Sequence, residues 1–304
     1  MKLEDWLVSW LEDYIKIGIK DRTYRMYQYI VERYIVGRIG LCEVESVTCQ
    51  MLQKYISTLS EKNLSENTLK LIWRIVSSGL KMAQVEYNLP QLALERVKIP
   101  KSEEKKVDAF SAGEQKSIEK VINISSHPKQ IGVMLSLYLG LRLGEVCALK
   151  WSDIDFKSRM LSVVRSVYLK LDKVSGSSLS FSTPKTSSSV RKIPVPVFLM
   201  DMLRQVKKTS TSEFVVSQNG HCMVPRTYQY EFESLQKKAG VQKKGFHSLR
   251  HTFATRALEC GMDIKSLAEI MGHKNPNVTL ARYAHSMLEH KKNMMDKLGR
   301  IHKN

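Results

Sequence analysis

The 304-residue chain lacks the marks of several large protein classes. Its five cysteines, Cys42, Cys49, Cys147, Cys222 and Cys260, are odd in number and include no CxxC pair. That excludes a disulfide framework and a cysteine metal site, and the five read as reduced thiols packed as small hydrophobes. No apolar run approaches the ~20 residues that span a bilayer. The opening MKLEDWLVSW is acidic and amphipathic, unlike a signal peptide, so the cytoplasm is the default location. There is no GxxxxGK(S/T) phosphate loop and no acidic metal cluster. Internal repeats and low-complexity tracts are also missing.

Acidic residues are scarce relative to basic ones: 30 Asp+Glu stand against 48 Lys+Arg, a net charge of +18. The imbalance is local. Residues 1–105 are nearly neutral at +2, whereas residues 106–304 carry +16. Such asymmetry implies that a polyanion is held mainly by the second part. The length suits about two domains, and a hydrophobic content of 43% is enough for packed cores.

Apolar residues at Leu3, Trp6, Leu7, Trp10, Leu11, Tyr14 and Ile15 follow the helical period, and Gly18 ends that helix. Tyr24, Tyr27, Ile30, Val31 and Tyr34 repeat the pattern up to Gly37 or Gly40. Thr48 is placed to cap a third helix through Ser60, and Ser65 a fourth from Glu66 to about Tyr87. Four helices with short connections predict a small bundle over residues 1–98. Its aromatics Trp6, Trp10, Tyr24, Tyr27, Tyr34 and Trp73 sit at helical spacing and read as core. IPKSEEKKVDAF, residues 99–110, is charged and unperiodic and reads as a linker.

A second domain, residues 111–304, opens on a capping box, Ser111 with Glu114. An apolar helix over about 129–139 breaks at Gly140, and another covers 142–149. MLSVVRSVYLKL is rich in strand formers, and DKVSGSSLS reads as a loop. FSTPKTSSSVRKIPVP reads as strand, turn, strand, with prolines at the sheet edge and Lys185 at the hairpin tip. From Pro225 onward the pattern is helical. The fold class is therefore mainly α with a small antiparallel β-sheet.

Chemistry concentrates where charge falls at breaks in structure. Arg142 follows Gly140 inside an apolar stretch, so it must be paired or face a ligand. Glu145 lies one helical turn away. Either the two form a structural pair, or Glu145 orients a guanidinium that grips a phosphate with both arms. In GFHSLRHTFAT, His247, Arg250 and His251 share a helical face. Ser248 stands where a zinc-protease HExxH would carry glutamate, which argues against a metal. Three cationic groups on one face repel unless an anion neutralises them. The alternative is a helix-capping histidine with Arg250 on the surface. MGH puts His273 at a helix end, and VTLARYAH starts a new helix on which Tyr283 shares a face with Thr279 and Ser286.

Taken together, GLRLGEVCALKWSDID, TPKT, RKIPVP, FHSLRHTFAT and LAEIMGHKNPNVTLARYAH closely resemble the tyrosine recombinase (phage integrase) family. The resemblance covers residues 108–304 and extends more loosely to the N-terminal bundle, which looks like that family's core-binding, SAM-like domain. It implies a site-specific recombinase that cleaves and rejoins double-stranded DNA through a 3′-phosphotyrosyl intermediate, without metal or ATP. Arg142 and Arg250 would clamp the phosphate oxygens and His273 would add a donor. Tyr283 would be the nucleophile. A phenol titrates near about 10, so it needs a base or a strongly cationic site. By the same resemblance His247 is its acid/base partner and Lys185 protonates the leaving 5′-oxygen. Glu145 and His251 would support the site.

The resemblance further implies a homotetramer on a DNA synapse, at core sites, with accessory DNA-bending or directionality proteins as further partners. No membrane is involved, and the location is the cytoplasm, at the bacterial nucleoid. The tail SMLEHKKNMMDKLGRIHKN carries an apolar stripe that docks either on a neighbouring subunit or on its own domain. Lys70, Arg74 and Lys81 line one side of the fourth helix and are candidates for DNA contact, or simply a solvated face. The bundle begins at about residue 3, so an arm-binding domain is not expected. Two competing readings are a type IB topoisomerase, which relaxes DNA as a monomer, and a DNA-binding regulator without catalysis.

Overall fold

The computed structural model describes residues 1–62, 64–100, 108–125, 127–172, 176–182, 190–273, 275, 295–296 and 299. Lys185, Tyr283 and nearly all of the tail lie outside them. The chain divides into two compact units, Met1–Glu104 and Lys105–Asn304.

In the first unit, α1 (Leu3–Trp10) and α2 (Asp21–Ile30) each run on into a π-helical turn, Leu11–Ile15 and Val31–Ile35. Helix α3 (Cys49–Glu61) starts at Thr48, whose hydroxyl accepts from the Met51 N–H. Helix α4 (Glu66–Glu86) starts at Ser65, which accepts from the Thr68 N–H. Each cap satisfies an amide that the first helical turn leaves without a partner. Trp6, Trp10 and Tyr24 are buried in the core, and Tyr27, Tyr34 and Trp73 pack half-buried against it. The indole of Trp6 donates to the Gly79 carbonyl at 2.8 Å, fixing α1 to α4. Lys70, Arg74 and Lys81 are exposed, and Lys70 pairs with Glu66 at 2.6 Å.

The second unit opens with α5 (Ala112–Ser125). Ser111 and Glu114 exchange the reciprocal bonds of a capping box, at 2.7 and 3.2 Å. Helix α6 (Ile131–Leu139) is buried along almost its whole length, and α7 (Leu143–Ala148) follows Gly140. Five strands come next: β1 (Ile154–Asp155), β2 (Met160–Val163), β3 (Ser166–Asp172), β4 (Gly176–Ser182) and β5 (Arg191–Pro194). Then come α8 (Val197–Thr209), β6 (Ser217–Gln218), β7 (His221–Cys222), α9 (Pro225–Lys238), α10 (His247–Glu259) and α11 (Ile264–Met271). Helix α6 sits at the centre and packs against α7, α8 and α10.

Three expectations are corrected here. The segment taken as loop includes a strand, since Gly176–Ser182 pairs antiparallel with β3 from Ser166↔Ser182 to Asp172↔Gly176. Serine and glycine are poor strand formers, but pairing with a neighbour and packing of Leu179 on the core override that preference. The strands flanking residues 183–189 do not form a hairpin with each other. β4 belongs to β3, and β5 pairs with β2 in a separate sheet of order β1-β2-β5. Among the described residues β5 is an outer strand, so its one proline, Pro194, lies at a sheet edge. Finally, Cys147 and Cys222 are buried as expected, but Cys260 is exposed at the end of α10.

Candidate active site

Two helices that end in left-handed glycines frame the site. Helix α6 ends at Gly140 and α11 at Gly272, both with φ of 65°. Glycine holds this backbone without the strain a Cβ brings. Space also demands it at Gly140, where a Cβ would come 2.6 Å from the Phe253 ring.

Arg142 stands two residues past the first turn and starts α7 in extended conformation. Its backbone N–H donates to Glu145 Oε2 at 3.0 Å and its Nη1 to Oε1 at 2.8 Å. Its Nη2 reaches the Gly272 carbonyl at 3.4 Å. The pair is thus structural, and it also orients the guanidinium, whose side chain stays 38% exposed.

Glu145 is buried and shared. Arg191, the first residue of β5, sends Nη1 to Oε1 at 3.2 Å and Nη2 to Oε2 at 2.8 Å. Its Nε donates to the Ile270 carbonyl at 2.6 Å. Burial alone pushes the Glu145 carboxyl up. The hydrogen bonds and charge of Arg191, with the charge of Arg142, outweigh that and hold it at about 2.

Arg250, on α10, is only 1% exposed, which rules out the alternative of a surface arginine. Its Nη1 donates to the Gly140 carbonyl at 2.5 Å and its Nη2 to the Met271 carbonyl at 2.6 Å. The same Nη2 lies 2.9 Å from His273 Nε2. The two glycine turns therefore present carbonyls that fix Arg142 and Arg250 from opposite helices. His247, exposed at the start of α10, and His251 meet edge to face, with ring centroids 4.6 Å apart.

Of the predicted residues, Arg142, Glu145, Arg250 and His273 join one network. His247 and His251 share the helix that carries Arg250. Lys185 and Tyr283 lie outside the described residues. Lys70, Arg74 and Lys81 belong to the other compact unit. Arg191 was missed. The signal for it was parity: Arg191 alternates with Ile193 on the buried face of β5, while Lys192 and Pro194 face out. Arg142 and Arg191 share one carboxylate, and Arg250 adds a further positive charge on the same turns; part of that charge is exposed at Arg142, which suits an anionic ligand such as a phosphodiester.

The pattern of the Phage integrase family matches residues 111–290, and that of the Phage integrase N-terminal SAM-like domain matches residues 2–60. The chain belongs to the phage integrase family, the tyrosine recombinases. It is 25% identical over 324 residues to a tyrosine recombinase XerC-like protein of Caldanaerobacter subterraneus, spanning 98% of this chain and 82% of that protein. To tyrosine recombinase XerA of Thermococcus onnurineus it is 27% identical over 296 residues, spanning 94% of this chain and 93% of the other. A solved structure of the Tn1549 transposon integrase in complex with a circular intermediate DNA is similar, with a TM-score of 0.82 at 25% identity. That match spans 98% of this chain and 99% of the other. The expected fold class holds: mainly helical with small antiparallel sheets, a SAM-like N-terminal part and a recombinase catalytic part. Among the described residues, no helix is long and apolar enough to cross a membrane.

Proposed function

We propose that the chain is a site-specific DNA recombinase that cleaves and rejoins strands by phosphoryl transfer to Tyr283. The observation that carries this reading is the convergence of Arg142, Arg250 and His273 on two glycine turns, with the Glu145 carboxylate bonded to Arg142. The Tyr283 oxygen attacks the scissile phosphorus while the P–O5′ bond breaks. The phenolic proton passes to His247, and Lys185 protonates the departing 5′-oxygen. Negative charge that builds on the nonbridging oxygens is met by fixed donors, which need not reorganise during the reaction. Because the 3′-phosphotyrosine conserves the phosphodiester energy, attack by a 5′-hydroxyl from another strand reseals the DNA and frees the tyrosine.

Exchange between two duplexes breaks four strands in all. One nucleophile per chain then requires four chains, so the working assembly is a homotetramer on paired DNA core sites. The excess of +16 over residues 106–304 supports phosphate contacts as the main source of affinity, with steep salt dependence.

A duplex nicked beside the cleavage position traps the intermediate, because the short leaving strand diffuses away. The expected result is a covalent protein–DNA adduct that disappears in Tyr283→Phe while DNA binding persists. An adduct that survives unchanged in Tyr283→Phe rules out this nucleophile.

A further inference from the structure

Arg191 has no part in the chemistry just described, yet it is set deeper than Arg142. Its side chain is 6% exposed, against 38% for Arg142. From the start of β5 it reaches two separate elements. Its two terminal nitrogens pair with the two oxygens of Glu145, on α7. Its Nε is left for the Ile270 carbonyl, in the last turn of α11. Its side chain also lies against the next turn, where a Cβ on Gly272 would come 3.2 Å from both Cδ and Nη1. A planar fork with a third donor suits this double task, and an ammonium does not.

A buried ion pair is a poor device for stability, because apolar residues of similar volume commonly serve as well. What apolar residues cannot do is fix the plane of a carboxylate. Here Oε1 receives Nη1 of both Arg142 and Arg191, and Oε2 receives the Arg142 N–H and Arg191 Nη2. The direction of the Arg142 guanidinium follows from that plane. At the other end, the carbonyl one residue beyond Ile270 binds Arg250, and His273 follows directly after Gly272.

We propose that Arg191 is the positioning residue that joins the two limbs of the phosphate site: through Glu145 it aims Arg142, and through the Ile270 carbonyl it holds the end of α11 that meets Arg250. This rests on the recombinase reading above. It has a consequence in pH. The charged groups bonded to Glu145 are Arg142 from α7 and Arg191 from β5, while Arg250 from α10 and His273 beyond α11 join through the Gly272 turn. Without Arg191, burial raises the Glu145 carboxyl, and once protonated it releases Arg142.

The test uses Arg191→Gln and Arg191→Lys in the full chain, with the nicked duplex as substrate. Adduct formation is followed against pH, and the Glu145 carboxyl is followed by ¹³C NMR. In Arg191→Gln, adduct formation is expected to slow by on the order of 10²-fold, the cost of misplacing a catalytic group by about an ångström. DNA affinity stays near the parental value, the rate falls further toward acid, and Glu145 titrates at higher pH. Arg191→Lys keeps the charge, so Glu145 stays ionised and the acid loss is rescued, but the rate remains below parental because the fork is gone. A parental rate and pH profile in Arg191→Gln overturns the proposal. If that variant does not fold, a parental rate in Arg191→Lys overturns it instead. Should the parent itself form no adduct, the recombinase reading fails, and the Glu145 resonance still decides whether Arg191 governs this carboxylate.

Discussion

Arg250 Nη2 lies 2.9 Å from His273 Nε2. A guanidinium only donates, so the imidazole accepts here and carries its own proton on Nδ1. His273 thus serves two masters: it closes the hydrogen-bonding shell of a buried arginine, and it can turn a donor toward a substrate oxygen.

Replacing His273 separates those roles. Glutamine has a carbonyl that can accept from Arg250, and leucine leaves that donor facing an apolar group. Removing a donor aimed at developing charge typically costs about 10²-fold or more in rate. Adduct formation on the nicked duplex is expected to fall by on the order of 10²-fold in His273→Leu and by less in His273→Gln. Binding should change little in either. Equal losses in the two variants would count against the accepting role of Nε2.

How much of this was legible in the sequence depends on whether the cause was local. Thr48, Ser65 and the Ser111–Glu114 box cap helices because their oxygens sit one turn from the amides they bind, and spacing alone reveals that. The Arg142–Glu145 pair is local for the same reason. The strand Gly176–Ser182 was not legible, because its pairing with β3 comes from the sheet and not from its serines. The motif marked Arg250 but not its depth, and Arg191 was missed altogether, because arginine is seldom fully buried. Their burial depends on carbonyls at Gly140, Ile270 and Met271, which only the folded chain brings near. One signal was simply passed over. Asn219 and Gly220, with φ of 52° and 81°, form the turn between β6 and β7, and Asn-Gly is a strong hairpin signal.

Glu145 ties stability to acid. Its carboxyl is held at about 2, below the ordinary 4.5, because Arg191 and Arg142 outweigh the opposing effect of burial. A depressed carboxyl stabilises the fold above its unfolded-state value and loses that contribution as pH falls through the folded one. The window therefore runs from about 4.5 down to about 2. The gap corresponds to on the order of 3 kcal/mol. Denaturant unfolding of Glu145→Gln against pH should show a shallower acid loss than the parent within that window. Parallel curves for the two proteins would mean that Glu145 is not the group responsible.

The two glycine turns make different demands, and alanine substitution should tell them apart. Both residues have φ of 65°, where a side chain costs about 1–2 kcal/mol. At Gly140 the added Cβ also comes 2.6 Å from Phe253 Cδ1, inside a packed ring contact. At Gly272 it comes 3.2 Å from Arg191, in the tighter part of the contact range but short of the overlap met at Gly140. Gly140→Ala should therefore be the more destabilised in denaturant unfolding, because overpacking adds about 1–3 kcal/mol to the backbone strain. Gly272→Ala should fold better yet lose more cleavage relative to its stability, since the atoms displaced are those that hold Glu145 and the end of α11. Unfolding midpoints and adduct rates measured on both variants check the ordering. If Gly272→Ala instead cleaved at the parental rate, the Arg191 side chain could move without disturbing Arg142, and the rigidity argued for this corner of the site would be lost.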